Sequence, residues 1–185
     1  MILAQERTVS KDAGFKPVFR TPGKKKPLVF LVDDDPFFLL ITAGALRNAF
    51  GEKVEVKTFE NTGACLKAVA KMPDLVILDY FFAPGEPDGL AALKEINHFY
   101  PQVPVIIASA QERVDLAVGA LREGASDYLK KDEKTCERLK VAVAALLDAQ
   151  REEEEEEKEM KKQLRDYIVI IVFILLLFTI SRLSR

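Results

Sequence analysis

Side chains capable of acid, hydroxyl and ammonium chemistry recur in this sequence at the ends of short apolar runs. Each lies at the last position of such a run or within two residues after it: Asp33 and Asp34, Asp79, Ser109, and Lys131. If the runs are parallel strands of one sheet, their carboxyl ends share an edge, where open α/β folds bind ligands. The residues would then converge although they lie far apart in sequence.

These residue types suit phosphoryl transfer. Three crowded carboxylates repel one another, and a divalent cation relieves that repulsion. Mg²⁺ accepts one or two carboxylates, water and a phosphate oxygen as ligands. Asp79 is then the candidate nucleophile that forms an aspartyl-phosphate. Lys131 would stabilise charge on the phosphoryl oxygens, and Ser109 would donate a hydrogen bond to the new phosphate.

The apolar runs alternate with helical patterns along the chain. Residues 28–32, 54–59, 74–79, 105–108 and 127–129 are predicted strands, and the runs before Asp33, Asp79 and Ser109 have no polar interruption, which is typical of strands buried on both faces. Helices are predicted from Pro36, with Asp35 as the N-cap, and from an N-cap at Asn61 or Thr62. Further helices are predicted to begin at about Leu90, to include Val114, and to begin around Lys134. The helix from Pro36 carries an apolar stripe that includes Phe38, Ile41 and Leu46. Five strand–helix repeats predict an α/β fold, a five-stranded parallel sheet with helices on both faces.

The motifs at these strand ends resemble the receiver domain of two-component response regulators, over about residues 27–150. They are Leu31-Val32-Asp33-Asp34-Asp35, Ile77-Leu78-Asp79, Val105-Ile106-Ile107-Ala108-Ser109-Ala110 and Gly124-Ala125-Ser126-Asp127-Tyr128-Leu129-Lys130-Lys131. The resemblance implies the flavodoxin-like receiver fold and activity that at most transfers phosphate to and from the protein itself.

The resemblance also implies roles for single residues. Asp79 would be the phosphoacceptor, and Asp33 and Asp34 the acidic pair. Asp34 and Asp79 would bind Mg²⁺ directly, with the backbone carbonyl of Phe81 as a further ligand. Ser109 would be the switch hydroxyl, Lys131 the family's lysine, and Tyr128 the aromatic residue that reorients on activation.

Other interpretations exist for the same residues. Asp33 or Asp35 can simply cap a helix, Ser109 can be a loop hydroxyl, and Lys131 a solvated charge. A packing role suits Tyr128 as well as a switch role does. A phosphatase of the haloacid-dehalogenase type also uses a strand-end Asp, but it needs a second Asp where this chain has Phe81.

The loop after Asp79 departs from the receiver pattern. The family usually has a proline four residues after the phosphoacceptor and a glycine four residues further on. Here Pro84 is five residues and Gly89 ten residues after Asp79. The sequence therefore predicts a loop that is longer by two residues, which affects the position of the Phe81 carbonyl and the rate of dephosphorylation.

Composition limits the remaining possibilities. The chain has 185 residues and a net charge of −2, with two cysteines that form neither a metal-site spacing nor a disulfide framework. His98 is the single histidine, so no internal phosphohistidine donor is expected. Residues 1–26 lack the apolar core of a signal peptide and are predicted to be a flexible segment.

The end of the sequence is unusual. Residues 151–166 are charged on all sides and predict a solvated helical stalk, continuing a long C-terminal helix; few heptad positions there are apolar, which disfavours a coiled coil. Residues 167–185 form a hydrophobic tail whose core, 167–180, would span roughly 21 Å as a helix, against about 30 Å of hydrocarbon. We expect a single-pass membrane anchor, with a hydrophobic oligomerisation helix as the alternative. Basic residues are more numerous before the segment than after it, which places the receiver in the cytoplasm.

The sequence thus predicts a membrane-tethered, magnesium-dependent phosphorylation switch. Its expected partners are a histidine kinase or phosphotransfer protein, an output protein at a membrane and, as a further option, a second copy in a homodimer. The acidic stalk and apolar tail predict no contact with nucleic acid. The alternative is a non-catalytic, membrane-anchored adapter that keeps the receiver fold as a docking module.

Overall fold

The computed structural model describes residues 26–83 and 88–183, with the side chains at 150, 153 and 173–183 left out of the description. Five strands alternate with five helices. In chain order they are β1 (Leu28–Val32), α1 (Pro36–Phe50), β2 (Glu55–Phe59), α2 (Thr62–Ala68), β3 (Leu75–Asp79), α3 (Gly89–Phe99), β4 (Val105–Ser109), α4 (Val114–Arg122), β5 (Asp127–Lys130) and α5 (Thr135–Leu183).

The strands form one parallel sheet in the order β2-β1-β3-β4-β5. Every residue of β1, β3 and β4 is buried. This follows from their composition, since a strand covered on both faces cannot carry polar side chains in its middle. The predicted fold class, a five-stranded parallel α/β sheet followed by a long C-terminal helix, is confirmed.

The start of α1 was predicted correctly, and its buried face was predicted in part. Asp35 caps the helix, because its carboxylate accepts a hydrogen bond from the backbone N–H of Phe37 at 2.9 Å. The stripe facing the core contains Leu39 and Leu46, whereas Ile41 is 47% exposed. The helix is apolar on several sides, so spacing alone does not identify the side that packs on the sheet.

Helix α5 is continuous over Thr135–Leu183, but the chain divides into two compact units between Leu146 and Leu147. The first contains the sheet. In the second, the described side chains from Arg151 to Val172 are all exposed. Within the described part of the chain, no helix combines the length and hydropathy required to cross a bilayer.

Some predictions concern residues that lie outside the described part of the chain. These are the segment 1–26, apart from residue 26, and Pro84. The same holds for the side chains of the tail from residue 173 onward.

Candidate functional site

The ends of four strands bring the predicted residues to one edge of the sheet. In the register, Val32 lies beside Leu78, Asp79 beside Ala108, and Ser109 beside Lys130. Asp33, the residue after β1, therefore lies beside Asp79 at the end of β3, and Lys131, the residue after β5, follows directly on the pair at the end of β4. This arrangement is a direct result of parallel pairing, since all strands end on the same side.

Three carboxylates converge at this edge. One oxygen each from Asp33, Asp34 and Asp79 lies within 4.8 Å of the other two. Asp33 and Asp79 are buried and Asp34 is exposed. The group is therefore open to solvent on the Asp34 side and closed beneath the other two residues.

Lys131 supplies the positive charge within this group. Its Nζ lies 2.5 Å from Asp33 Oδ2 and 2.9 Å from Asp79 Oδ1, and it also stands over the ring of Phe38, 4.5 Å from the centroid. Only 15% of its side chain is exposed. A lysine held between two buried carboxylates and an aromatic face is not a solvated surface charge.

The turn after β5 is fixed by side chains that hold the backbone around Lys131. Thr135 Oγ1 accepts a hydrogen bond from Asp132 N at 2.7 Å and donates one to Lys130 O at 3.1 Å. Arg138 Nη2 donates to the same carbonyl at 2.9 Å. These bonds set the direction in which the lysine leaves the strand.

Burial changes the acidity of the two inner carboxylates. Loss of hydration raises the pKa of Asp79 from 3.8 to about 6; the Lys131 ammonium opposes this rise, and the Asp33 charge adds to it. Burial also raises the pKa of Asp33, again against the effect of Lys131. Both shifts are typical of carboxylates withdrawn from water with only partial compensation by a cation.

The residues present fit a divalent cation. Three ionised carboxylates and one ammonium leave an excess of two negative charges, and hard oxygen ligands are those that Mg²⁺ prefers. Asp33 Oδ2 is buried, and Lys131 Nζ is its only polar contact among the described residues. The site therefore contains a carboxylate oxygen with unused capacity as a ligand.

Ser109 and Tyr128 are linked through one intervening residue. Ser109 is buried, and its Oγ accepts a hydrogen bond from Gln111 N at 3.2 Å. The Tyr128 hydroxyl donates to Gln111 O at 3.0 Å. The backbone of Gln111 thus joins the hydroxyl at the sheet edge to the half-buried aromatic ring on β5.

The long loop after Asp79 is closed at its base by Gly89. Its N–H donates to Tyr80 O at 3.0 Å. A Cβ at position 89 would stand 1.9 Å from the carbonyl oxygen of Asp79, so only glycine allows this approach. The extra residues of the loop therefore fall between Tyr80 and Gly89.

Phe81 lies within this loop, two residues after Asp79. Its ring packs against Tyr80 with the centroids 4.7 Å apart, and the residue is 41% exposed. A ligand role for its carbonyl stays a prediction.

The structure thus brings together the carboxylates of Asp33, Asp34 and Asp79 with the ammonium of Lys131. Sequence reasoning missed two participants, the Phe38 ring under Lys131 and the Gln111 backbone bridge. Phe38 was assigned only to an apolar stripe. The Gln111 contacts use backbone atoms, which do not depend on residue type, so the sequence gives no signal for them.

Comparison with known proteins agrees with this geometry. The family model described as "Response regulator receiver domain" matches residues 29–144. The DNA-binding transcriptional regulator NtrC of Escherichia coli K12 is 36% identical over 129 residues, which are 69% of this chain and 26% of that protein. The chain thus spans about a quarter of the length of the curated relatives that it matches.

Solved structures give the same result. The signal receiver domain of a putative LuxO repressor protein from Vibrio parahaemolyticus superposes with a TM-score of 0.60 at 29% identity, covering 70% of this chain and 95% of that one. The receiver domain of NtrX from Brucella abortus has a TM-score of 0.54 at 32% identity, with coverages of 66% and 95%. The sequence prediction that nucleic acid plays no part finds no support here, since the E. coli relative is named for DNA binding.

Proposed function

This chain belongs to the response regulator receiver domain family and carries the receiver domain of a two-component response regulator, and on that premise we propose that Asp79 is its phosphoacceptor. The observation that carries the proposal is the position of Asp79, buried at the sheet edge with Lys131 Nζ 2.9 Å from its carboxylate. The donor would be a phosphohistidine on a histidine kinase or phosphotransfer protein. His98 cannot serve, because it lies in the last turn of α3, at the opposite edge of the sheet.

The transfer is a displacement at phosphorus. A carboxylate oxygen of Asp79 forms a bond to phosphorus, the bond from phosphorus to the donor's imidazole nitrogen breaks, and that nitrogen keeps the electron pair. Asp79 must be ionised to attack, and a pKa of about 6 meets that condition at neutral pH. Lys131 can balance the negative charge on the phosphoryl oxygens, since it already contacts this carboxylate.

Asp33, Asp34 and Asp79 are the residues that would hold Mg²⁺, with the Phe81 carbonyl as a further ligand. When bound, the cation would neutralise charge on the phosphoryl oxygens. The role of this chain's residues is to hold three carboxylate oxygens within 4.8 Å of one another.

Phosphorylation would be transmitted through Ser109 and Tyr128. The phosphate adds about −1.5 to −2 charges. Ser109 would turn its hydroxyl toward the new phosphate and release the Gln111 N–H. Gln111 O also accepts a hydrogen bond from the Tyr128 hydroxyl. Movement of Gln111 would therefore change the surface around Tyr128.

The test uses the full chain in a mild detergent with Mg²⁺ and a small acyl phosphate as donor. We expect a mass increase of one phosphoryl group at Asp79 that is stable to acid and labile to base. Asp79→Asn should abolish it, whereas Asp127→Asn, which changes an exposed carboxylate, should not. Labelling that persists in Asp79→Asn at another residue would contradict the site assignment.

The alternative is a receiver fold used only for docking. A folded chain that takes up no phosphate and shows no Mg²⁺-dependent spectral change with a phosphate mimic would favour this adapter. The tight acidic group and its lysine favour the switch.

We further propose that the apolar segment 167–180 tethers the receiver to the cytoplasmic face of a membrane. In its described part, Tyr167–Val172, the side chains are apolar and exposed. Cell fractionation should place the full chain in the membrane pellet and a variant that ends at Arg165 in the supernatant. If both forms stay in the supernatant, the tether is wrong.

A further inference from the structure

The aromatic ring of Phe38 contacts the ammonium group of the acidic site. Lys131 Nζ lies 4.5 Å from the ring centroid, in addition to its contacts with Asp33 Oδ2 at 2.5 Å and Asp79 Oδ1 at 2.9 Å. The face of an aromatic ring attracts a cation, and the attraction is stronger when the groups are withdrawn from water. Only 15% of the Lys131 side chain is exposed, so water screens this contact weakly.

The loop between β1 and α1 sets the position of the ring. Asp33 Oδ1 accepts a hydrogen bond from Asp35 N at 3.0 Å, and Asp35 Oδ1 accepts one from Phe37 N at 2.9 Å. Phe38 is the next residue, in the first turn of α1. Asp33 therefore contacts Lys131 with one carboxylate oxygen and, with the other, holds the loop that leads to the ring.

Packing into the core does not account for this ring. Leu39 and Leu46 of the same helix are buried, whereas Phe38 is half-buried. The adjacent Phe37 is 67% exposed. The ring of Phe38 thus borders the acidic site, and its replacement by leucine should leave the core intact.

Loading of the site affects the ring and the two carboxylates differently. In the proposed function, Asp33 and Asp79 are ligands of Mg²⁺, and Asp79 also receives the phosphoryl group. The cation neutralises charge on both carboxylates, so they attract the Lys131 ammonium less. An uncharged ring neither competes for Mg²⁺ nor accepts phosphate, so its attraction for the ammonium stays.

We propose that Phe38 is a positioning residue for Lys131: its ring keeps the ammonium inside the site while Mg²⁺ and the phosphoryl group take over Asp33 and Asp79. The ammonium then passes from the carboxylates to the phosphoryl oxygens along the ring face, without returning to water. The inference rests on the proposed function, which assigns Lys131 to the phosphoryl oxygens.

Phosphorylation rates of the full chain in mild detergent test this role. With Mg²⁺ and a small acyl phosphate as donor, Phe38→Leu should slow phosphate uptake by about three- to tenfold, the range that corresponds to the lost attraction. Phe38→Tyr keeps an aromatic face and should stay within about twofold of the wild type. The matched control is Phe37→Leu, the same change at the exposed neighbouring position, which should leave the rate unchanged.

Nuclear magnetic resonance separates positioning from a general structural effect. In protein with ¹³C-labelled lysine, the ε-protons of Lys131, identified by their loss in Lys131→Arg, should be shifted upfield by the ring current of Phe38. The shift should be present with EDTA, persist with Mg²⁺ and a beryllium fluoride phosphate mimic, and survive in Phe38→Tyr but not in Phe38→Leu. A shift that is absent with EDTA, or that disappears when the site is loaded, would overturn the proposal.

The outcomes distinguish this inference from the proposed function. If the wild type takes up phosphate and Phe38→Leu does so as fast as Phe37→Leu, the positioning role is wrong and the phosphoacceptor assignment stands. If Phe38→Tyr is as slow as Phe38→Leu, the aromatic face is not the cause, and the positioning role is again wrong. A wild type that takes up no phosphate would overturn the proposed function and this role together.

Discussion

Asp79→Asn should make the protein more stable at neutral pH, because the wild-type carboxylate ionises in a buried position. The folded state holds the proton of Asp79 with a pKa of about 6, against 3.8 as the ordinary value. Between these values the folded state binds more protons than the unfolded state, so stability falls as pH rises through this window. Above about pH 6 the unfolding free energy that depends on this proton has been lost completely.

The size of the effect follows from the shift. A difference of about two pKa units corresponds to about 3 kcal/mol of unfolding free energy. At about pH 4 most of this stability has not yet been lost, because Asp79 is protonated in the folded protein. Asparagine has nearly the same shape and never ionises, so Asp79→Asn should gain about 1–3 kcal/mol at pH 7 and much less at pH 4.

Urea denaturation at pH 7 and at pH 4 measures the difference in unfolding free energy between the wild type and Asp79→Asn. Unfolding of the full chain can be followed by the near-ultraviolet circular dichroism of its tyrosines, with EDTA present to remove divalent cations. Asp148→Asn is the matched control, since this carboxylate is 68% exposed and lies in the other compact unit. It should give the same stability as the wild type at both pH values.

Two results would refute the reasoning. An Asp79→Asn variant that is less stable than the wild type at pH 7 would mean that the contact with Lys131 outweighs the cost of burial. A gain of equal size at both pH values would mean that ionisation is not its cause. Adding Mg²⁺ without EDTA should stabilise the wild type by mass action and have less effect on the variant.

Three further substitutions test separate contacts. Gly89→Ala should cost about 1–3 kcal/mol or more in unfolding free energy, because the new Cβ meets the backbone of Asp79; an unchanged melting temperature would mean that the loop relaxes freely. Lys131→Met should cost about 3 kcal/mol near pH 7 and much less near pH 4, where Asp79 is protonated; equal losses in urea titrations at both pH values would contradict an electrostatic role. Tyr128→Phe should cost about 0.5–1.5 kcal/mol through the lost bond to Gln111 O, and an unchanged urea midpoint would show that the hydroxyl bonds equally well to water.

The order of elements and the edge that carries the site could be read from the sequence. Uninterrupted apolar runs such as 28–32 and 75–78 have few stable alternatives to a strand covered on both sides. Parallel pairing then forces Asp33, Asp79 and Ser109 to the same edge. The cap at Asp35 was also predictable, because a short acidic side chain before a proline is a local signal.

The partners of each side chain were decided only by tertiary structure. The spacing in α1 correctly predicted that Leu46 is buried but wrongly placed Ile41 on the same face, because a helix with apolar residues on several sides packs by shape rather than by pattern. The contact of Lys131 with Asp33, Asp79 and Phe38 depends on how the turn held by Thr135 and Arg138 directs one side chain. The link from Ser109 to Tyr128 passes through backbone atoms of Gln111, which every residue type has. Sequence therefore determined which residues reach this edge of the sheet, and the packed structure determined their partners, their distances, their burial and the raised pKa of Asp79.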